Sequence, residues 1–353
     1  MKIKIFKNLE CENNPSMHIY AKELLGNMPP NVEGFAIRGE NFPVFKHYIS
    51  KEIIYPKTAS KNQGDVNHIA DHSYCGLLKG LDAAKTVVTC HDLIPIIYPR
   101  GVSAIGRMRY WHNVKLLPSA KRIITASEFT KQTVIKIFGK GQKNKITVIP
   151  YGISSDFRPL ENKEALRRKY NISEKSILHI GSSYHRKNIE LILEILPEKK
   201  DWQFVKIGPF NKKQASYIKN NNLAGQIRHF PFIDLADTRK IVEIYNCAGS
   251  LAYPSFCEGF GLPIIEALSC GLPVACSDIP PFKEIAKDSA VFFDPKNKEA
   301  LIAAIENCFN DQSAREKLIQ NGLSAAAKYT WKKCAESTYK VYEELYKEDQ
   351  RGA

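Results

Sequence analysis

The sequence lacks the cysteine spacings that mark metal-bound or disulfide-linked sites. Its nine cysteines are an odd number and include no C-x-x-C pair, so the pattern predicts neither a zinc site nor a disulfide framework. We expect free, mostly buried thiols in a reducing compartment. The cysteines stand at positions 11, 75, 90, 247, 257, 270, 276, 308 and 334.

Long apolar runs are absent as well. No stretch approaches the roughly 18 apolar residues of a membrane-spanning helix. The first residues alternate charged and apolar side chains without the apolar core of a signal peptide, which predicts a β-strand and a cytoplasmic protein. We find no repeat and no low-complexity segment. With 353 residues, 44% of them hydrophobic and 25% charged, the chain is typical of a globular protein of about two domains.

Negative charge is scarce in the first part of the chain. Residues 1–150 carry 22 Lys/Arg against 11 Asp/Glu, a net of +11, whereas residues 151–353 carry 29 against 26, a net of +3. A basic half fits nucleic acid, an anionic membrane surface or a phosphorylated substrate. Charge alone does not choose among these partners.

Short apolar runs alternate with helical patterns along the chain. This alternation predicts parallel sheets joined by right-handed helical crossovers. The predicted strands are Lys2–Phe6, Phe35–Ile37, Lys85–Thr89, Arg122–Thr125, Ile146–Ile149, Ser176–Ile180, Trp202–Ile207, Ile227–Phe230, Gly249–Ala252 and Pro273–Cys276. The predicted helices include Lys187–Leu196, Thr238–Tyr245 and Leu262–Cys270.

A turn-rich segment, Pro150–Pro159, divides the chain. We predict a Rossmann-like domain over residues 1–152, a second over 153–335, and a final helix, 336–353, that crosses back to the first domain. Each domain would be an α/β, doubly wound parallel sheet. A ligand would bind between them, at the carboxyl ends of the strands.

The segment Pro254–Ala267 holds the strongest signal for a binding site. A Gly-x-Gly turn follows a predicted strand, and Pro263 begins a helix, where its missing N–H costs nothing. Backbone N–H groups and the helix dipole favour an anion at such a turn. Glu258 and Glu266 flank the turn and could accept hydrogen bonds from the vicinal diols of a sugar nucleotide. A tight turn with surface glutamates is the alternative.

A second motif, Gly181–Asn188, follows the first predicted strand of the second domain. Gly181 permits the turn, and Arg186 and Lys187 place cations at the start of a helix. Cations oppose the helix dipole there unless an anion is bound. A solvated basic loop is the alternative.

Less specific signals lie in the first half of the chain. His68, Asp71 and His72 could bind a metal, contact an acceptor or form a structural hydrogen-bonded cluster. Ser127 precedes a helix and is explained equally well as its N-cap. The stretch Arg100–Arg122 is basic and contains apolar residues, so its helix could lie on an anionic membrane or pack an apolar stripe on its own sheet.

Together these motifs resemble retaining GT-B glycosyltransferases of family GT4. The resemblance rests on the spacing of Glu258 and Glu266 and on the Arg-Lys-Asn sequence after a glycine. Further matches are Pro150-Tyr151-Gly152-Ile153, Gly271-Leu272-Pro273-Val274, Ile285-Ala286, Phe293-Asp294-Pro295, Tyr329-Thr330-Trp331, His91-Asp92-Leu93 and Ile124–Phe129. The resemblance is dense over residues 85–335 and weak over the first 60, where the loop Leu9–Ser16 lacks the glycines of many members.

The resemblance implies a GT-B fold with two Rossmann-like domains facing a cleft. Lys187 would pair with the donor diphosphate with Arg186 beside it, Glu266 would bind the ribose hydroxyls, and Glu258 would lie near the donor sugar. The full implied donor site is Gly181, Ser182, Arg186, Lys187, Glu258, Gly259, Phe260, Gly261, Leu262 and Glu266. His91 would reach the sugar and acceptor, as part of a catalytic group with Glu258, Lys187 and Arg186. The candidates for the acceptor side are His68, Asp71, His72, Asp92 and Ser127.

The first-domain motifs resemble the subgroup with many bacterial mannosyltransferases. The resemblance implies retaining transfer, without metal or cofactor, from a nucleotide sugar to a glycan or lipid-linked acceptor of surface polysaccharide. GDP-mannose is favoured over UDP-sugars. We expect a cytoplasmic enzyme, peripheral on the inner face of the cytoplasmic membrane, that binds no nucleic acid. The alternatives are a GT-B sugar-nucleotide epimerase or hydrolase and a basic α/β nucleic-acid-binding protein, for which no recognised module appears.

Overall fold

The computed structural model describes residues 1–12, 15–39, 44–232, 238–309 and 312–352. They form two compact units. Unit 1 contains residues 1–152 and the chain from Thr330 onward, and unit 2 contains residues 153–329. The C-terminal segment thus belongs to unit 1 from Thr330, whereas the sequence predicted that it returns to the first domain from residue 336. Asn13 and Asn14, in the loop that lacks glycine, lie outside the described residues.

Unit 1 is built on a parallel sheet. Its strands are β1 (Ile3–Phe6), β2 (Val32–Phe35), β3 (Val66–Ile69), β4 (Thr86–Cys90), β5 (Arg122–Thr125) and β6 (Ile146–Val148). They pair in the order β2-β1-β3-β4-β5-β6, so the strand order reverses between β1 and β3. Its helices are α1 (Pro15–Gly26), α2 (Val44–Ile49), α3 (Tyr55–Ser60), α4 (Ile94–Ile97), α5 (Ala104–Val114) and α6 (Glu128–Phe138).

Two strand predictions fail in unit 1 for physical reasons. The strand placed at Phe35–Ile37 lies at Val32–Phe35, where Glu33 and Gly34 break the apolar run. β3 went unpredicted because Asn67 and His68 interrupt its pattern, yet all four of its residues are buried. Their polar atoms find partners inside the unit, which the local sequence does not reveal.

Unit 2 repeats the design with a different strand order. Its strands are β7 (Ser176–Ile180), β8 (Gln203–Ile207), β9 (Ile227–Phe230), β10 (Ser250–Tyr253), β11 (Val274–Ser277) and β12 (Val291–Phe293). They pair in the order β12-β11-β10-β7-β8-β9, all parallel, the arrangement of dinucleotide-binding sheets, with a switch point between β7 and β10. The short strand β12 was not predicted.

Helices cover the unit 2 sheet, and their apolar faces form its core with the β-branched strands. They are α7 (Lys163–Tyr170), α8 (Ile189–Ile195), α9 (Lys212–Asn220), α10 (Thr238–Cys247), α11 (Leu262–Ser269), α12 (Pro280–Ala286), α13 (Lys298–Phe309) and α14 (Gln312–Ala326). The predicted α/β, doubly wound fold is confirmed in both units.

The last helix, α15 (Trp331–Gly352), packs on unit 1. Trp331 is buried, with its ring 6.0 Å from that of Tyr20. Tyr342, further along α15, is fully buried. These aromatic contacts explain why the whole helix, and not only its end, belongs to unit 1.

The cysteines form no disulfide, as predicted. Cys11 is partly buried and the other eight are buried. Within the described part of the chain, we find no helix with the length and apolar character needed to cross a membrane.

Candidate functional site

The two strongest motifs meet at the switch point of unit 2. The segment Gly181–Asn188 follows β7, and the segment Pro254–Gly261 follows β10. The backbone N–H of Phe256 donates to the carbonyl of Arg186 at 2.8 Å and joins the two segments. Ligands of such sheets bind outside the carboxyl ends of the strands at this point.

One carboxylate organises the cations there. Lys187 Nζ lies 2.5 Å from Glu258 Oε1, and Arg186 Nη1 lies 2.6 Å from Oε2. The Ser255 hydroxyl donates to Oε1 at 2.9 Å, and Lys187 also donates to the Tyr253 hydroxyl at 2.5 Å. Two cations therefore face one anion in a largely buried group.

The charge state of Glu258 follows from these contacts. Burial works to raise the pKa of its carboxyl, but the charges of Lys187 and Arg186 and the hydrogen bonds from Lys187 and Ser255 lower that pKa below its ordinary value. Glu258 is thus ionised near neutral pH, and the cluster keeps a net positive charge. Such a cluster attracts an anionic ligand.

The pKa of Glu266 is shifted in the opposite direction. This residue lies on α11, one turn beyond Pro263, and the Tyr245 hydroxyl donates to its Oε2 at 2.6 Å. Desolvation of the carboxylate raises its pKa to about 7, although the bond from Tyr245 works against the shift. The two motif carboxylates thus have separated pKa values, as acid and base groups at sites often do.

Glycine is required at the turns of this edge. Gly181 and Gly261 have φ of +135° and +123°, values that disfavour any residue with a Cβ. A Cβ on Gly261 would also lie 3.0 Å from both Ile285 Cδ1 and Phe282 Cε1. Helix α11 begins at Leu262 with a proline in its first turn, as predicted.

The other predicted donor residues lie around these turns. Gly259 and Phe260 are buried between β10 and α11, and the Phe260 ring lies 6.0 Å from that of Tyr329. Ser182 and Leu262 are partly exposed. Unit 2 therefore brings the predicted donor residues to one edge of its sheet.

His91 is held by two protein partners in unit 1. Its Nε2 lies 2.9 Å from the carbonyl of Ala70, and its Nδ1 lies 2.5 Å from the Tyr151 hydroxyl. A carbonyl only accepts, so Nε2 carries the hydrogen and Nδ1 accepts from Tyr151. Burial lowers the pKa of His91 to about 4, so the ring is neutral at physiological pH.

His68 lies in the core. It is on β3, fully buried, with Nδ1 at 2.5 Å from the Tyr342 hydroxyl and Nε2 at 2.8 Å from Thr89 Oγ1. Burial lowers its pKa to about 3. Because His68 is on a strand, it does not share a helix face with His72, so the zinc spacing considered for this cluster is wrong. Across the described ranges, no group of three or more potential ligands is arranged to hold a metal ion.

Asp71 and His72 follow β3 at the switch point of unit 1. Asn8 donates to Asp71 Oδ2 at 2.8 Å, and His72 lies 2.8 Å from the Tyr110 hydroxyl. Burial works to raise the pKa of Asp71, but nearby histidines and Lys51 bring it to about 2. Both residues are buried. This agrees with the interpretation of the cluster as a structural hydrogen-bonded group.

The last two acceptor-side candidates begin helices. Ser127 accepts from the Thr130 N–H at 3.1 Å, which confirms the predicted N-cap of α6. Asp92 is partly exposed, and its Oδ1 accepts from the N–H of Ile94, at the start of α4, at 2.9 Å. Each residue thus has at least a local structural role.

Helix α5 exposes an apolar strip. Ile105 is 62%, Met108 66% and Trp111 42% exposed, whereas Asn113 and Val114 are buried. The predicted helix over Arg100–Arg122 is thus limited to Ala104–Val114. The Trp111 ring stacks on that of Phe138 on α6 at 5.7 Å, whereas Ile105 and Met108 are exposed, with exposed Arg107 and Lys115 beside them.

Sequence reasoning missed two polar residues inside buried strands. Lys206 on β8 and His179 on β7 are fully buried and close to Gly181. A charged residue within an otherwise apolar strand was the available signal. Tyr253, which binds Lys187, and Tyr245, which binds Glu266, carry no such signal because tyrosine is common in cores.

These features define a class of protein with two doubly wound units and a cluster of paired cations at the sheet edge of the second. Sequence comparison identifies the family. Residues 17–157 match the model of Glycosyltransferase Family 4, and residues 162–324 match that of Glycosyl transferases group 1. The chain is 31% identical over 278 residues to the O-antigen chain mannosyltransferase B of Escherichia coli, covering 74% of this chain and 71% of that one. The protein belongs to this family of GT-B glycosyltransferases.

Other comparisons agree on the fold. The serotype-specific mannosyltransferase WbdA of Escherichia coli is 24% identical over 279 residues, 75% of this chain but 34% of that longer protein. The solved sucrose-phosphate synthase of Thermosynechococcus elongatus superposes with a TM-score of 0.78 at 16% identity, covering 98% of this chain and 99% of that one. The matched family is one of glycosyltransferases, the first of the function classes considered from the sequence.

Proposed function

We propose that the protein transfers mannose, with retention and without a metal, from GDP-mannose to a glycan or lipid-linked acceptor in bacterial surface polysaccharide synthesis. The similarity to an O-antigen chain mannosyltransferase supports the sugar and the pathway class. The single observation that carries the mechanism is the Lys187–Glu258–Arg186 cluster. A UDP-sugar is the alternative donor.

Lys187 and Arg186 are the residues proposed to hold the donor diphosphate. Negative charge builds on the diphosphate as the bond to the sugar breaks, and preorganised cations stabilise that charge. Glu258 fixes both cations through separate oxygens, so little reorganisation accompanies the reaction. In other folds a divalent cation performs this task, and here two side chains supply the same positive charge.

The two glutamates then have different tasks. Glu266, in its ionised form, accepts hydrogen bonds from the ribose hydroxyls. Glu258 lies near the donor sugar and orients Lys187 and Arg186. The segment Gly259–Leu262 borders the sugar and phosphates at the start of α11. A pKa of about 7 for Glu266 means that donor binding draws on a carboxylate that is only partly ionised at neutral pH.

His91 is proposed to serve the acceptor side as a neutral, hydrogen-bonding residue. Its pKa of about 4 excludes an acid role near pH 7 for the ring in this environment. Asp71, His72 and Asp92 lie near it, on the segments after β3 and β4. They form the hydrogen-bonding surroundings proposed for sugar hydroxyls.

The α5 strip is proposed to rest on an anionic bilayer. Its apolar residues can enter the interface, and exposed Arg107 and Lys115 complement anionic lipid headgroups. Unit 1 also contains the basic part of the chain. This placement would bring a lipid-linked acceptor to an enzyme that works at the inner face of the membrane.

The proposal is tested by donor specificity. The purified protein is incubated with GDP-mannose, UDP-glucose or UDP-N-acetylglucosamine and with a mannose-terminated glycan. Sugar transfer is measured by mass spectrometry, and the anomeric configuration of the product by NMR spectroscopy. We expect transfer from GDP-mannose with the α-configuration of the donor retained. Transfer from a UDP-sugar alone would overturn the mannose assignment, and an inverted product would overturn retention.

A further inference from the structure

A buried lysine lies beneath the glycine turn of unit 2, and the proposed mechanism does not use it. Lys206, on β8, has no exposed surface. Its Nζ donates to the carbonyl of Gly181 at 2.5 Å and to that of Ile207 at 2.6 Å. An ammonium group is unfavourable in a core unless its donors are satisfied. Its position therefore depends on these two carbonyls.

The two carbonyls belong to a close backbone contact. Gly208 has φ of +101°, and a Cβ there would lie 2.3 Å from the Gly181 oxygen and 3.0 Å from Lys206 Nζ. The Gly181 N–H donates to the carbonyl of Ile207 at 3.1 Å. Lys206 thus fastens the end of β7 to the end of β8.

The fastened turn lies beside the cation cluster. A Cβ built on Gly181 would lie 3.9 Å from Lys187 Nζ and 3.7 Å from Lys187 Cε. A shift of the turn would therefore move the backbone against which Lys187 packs. Lys206 itself is covered by the turn, so it influences the ligand site through Gly181.

Lys206 is the middle of a row of basic side chains across the sheet. It is in register with His179 on β7 and with His229 on β9. The His179 ring stacks on Tyr253, and neither of its nitrogens has a hydrogen-bond partner among the described residues. Burial and the charges of Lys206 and Lys187 hold the pKa of His179 well below its usual range. The His179 ring is therefore neutral near pH 7.

We propose that Lys206 is a positioning residue for the donor diphosphate, an inference that rests on the donor site proposed above. Its ammonium group holds the Gly181–Gly208 turn in the conformation that presents Gly181 and Lys187 to the phosphates. Its charge adds to the attraction without contact with the ligand.

The proposal has a proton linkage with a defined sign. Burial and the charge of Lys187 lower the pKa of Lys206 to about 7. A diphosphate at the site raises that pKa, so donor binding takes up protons at Lys206. Glu266 has the opposite sign, because its ionised form binds ribose and donor binding releases a proton there. The titratable groups that face Lys206 are His179 and His229, in register with it on β7 and β9, and Lys187, whose charge acts on it.

The test is a calorimetric titration of GDP-mannose and UDP-glucose into the full chain between pH 6 and 8.5. Each pH uses two buffers that differ in ionisation enthalpy, which gives the protons exchanged on binding. A nucleotide sugar is used because it has no terminal phosphate monoester that titrates near pH 6. The variants are Lys206→Met, Lys206→Arg and the control Lys175→Met. Lys175 precedes β7 at the opposite edge of the sheet, where it pairs with Asp201.

We expect Lys206→Met to bind about tenfold more weakly at pH 6.5, with a smaller deficit above pH 8, where wild-type Lys206 has lost its proton. On donor binding at pH 7 this variant should also release more protons than the wild type. It keeps the proton release at Glu266 but lacks the opposing proton uptake at Lys206. Lys206→Arg should retain affinity at pH 8.5, and Lys175→Met should match the wild type.

Equal affinity and proton exchange in Lys206→Met and wild type would overturn the inference and leave the donor site intact. Failure of the wild type to bind either nucleotide sugar would overturn both. If thermal unfolding shows that Lys206→Met does not fold, Glu266→Gln decides, because it lacks the opposing titration of Glu266. An affinity of Glu266→Gln that stays constant or rises from pH 7 to 8.5 would then overturn the inference, because Lys206 must lose its proton in that range.

Discussion

At the switch point of unit 2 two cations share one carboxylate, whereas the buried histidines of unit 1 are neutral and hydrogen-bonded to hydroxyl and carbonyl groups. Lys187 and Arg186 face Glu258 in unit 2. In unit 1, His68 and His91 are neutral, and both nitrogens of each ring have protein partners. The same sheet architecture thus holds a net positive cluster in one unit and, in the other, two neutral histidines near the ionised carboxylate of Asp71.

The largest effect should follow from removal of charge in unit 2. Lys187→Met should lower the turnover number by about 10²–10³-fold if Lys187 stabilises charge on the departing diphosphate as proposed. Turnover is measured by nucleoside diphosphate release, and thermal unfolding checks the fold. Lys175→Met removes a lysine from the far edge of the same sheet and should keep full activity. The alternative is a structural role for Lys187. It would be shown if Lys187→Met lowered the thermal stability while the fraction that remained folded kept the wild-type turnover number.

Glu266→Gln should weaken donor binding by about 1.5–3 kcal/mol, the range for hydrogen bonds to a charged group. The glutamine keeps the shape but cannot ionise. Wild-type affinity gains from ionisation of Glu266 as the pH rises through about 7, and the variant should lose this contribution. Calorimetric titration measures both, with exposed Glu299→Gln as the control.

The raised pKa of Glu266 can also be tested through the pH dependence of protein stability. The folded pKa of Glu266 lies above its ordinary value, so this group stabilises the ligand-free protein at low pH, and that contribution is lost as the pH rises through about 7. The unfolding free energy of Glu266→Gln should therefore increase relative to that of the wild type as the pH rises through about 7. Parallel pH dependence in the two proteins would contradict the raised pKa.

Substitutions on α5 of unit 1 should have an intermediate effect, seen in binding to lipid vesicles. Each cation near an anionic surface contributes about 1 kcal/mol, so Arg107→Gln with Lys115→Gln should reduce binding to anionic vesicles about thirtyfold at low salt. Sedimentation measures it, and binding should weaken from low to physiological salt. Equal recovery with neutral vesicles, or none with anionic ones, would assign the basic surface to a phosphorylated acceptor.

The smallest effect on activity should come from the unit 1 core. His68→Phe removes the partner of the buried Tyr342 hydroxyl and should cost about 1–3 kcal/mol of unfolding free energy. Donor affinity, a property of unit 2, should not change. Urea unfolding and titration separate the two quantities. A large loss of donor affinity in a folded His68→Phe protein would contradict the division of tasks between the units.

The sequence predicts best where local patterns decide the structure. Continuous apolar runs such as Ser176–Ile180 predict their strands, and the Gly-x-Gly turn with Pro263 predicts the start of α11. Long-range partners defeat local reasoning. His68 meets Tyr342 from the other end of the chain, so its place in the core was one of three open interpretations.

The candidate site shows the same limit. The motif residues Lys187 and Glu258 could be chosen from the sequence, but their ion pair could not, because two loops after distant strands create it. Lys206 was missed because its role depends on the contact between Gly181 and Gly208. Pairwise packing of this kind has no signature in a single segment.

The central claim is that the cations of unit 2 do the work of a metal ion. The direct measurement is kcat/KM for mannosyl transfer from GDP-mannose after extensive dialysis against EDTA, with and without added Mg²⁺ or Mn²⁺. The account predicts equal values in all three conditions for the wild type. Loss of transfer in EDTA that Mg²⁺ or Mn²⁺ restores would contradict it.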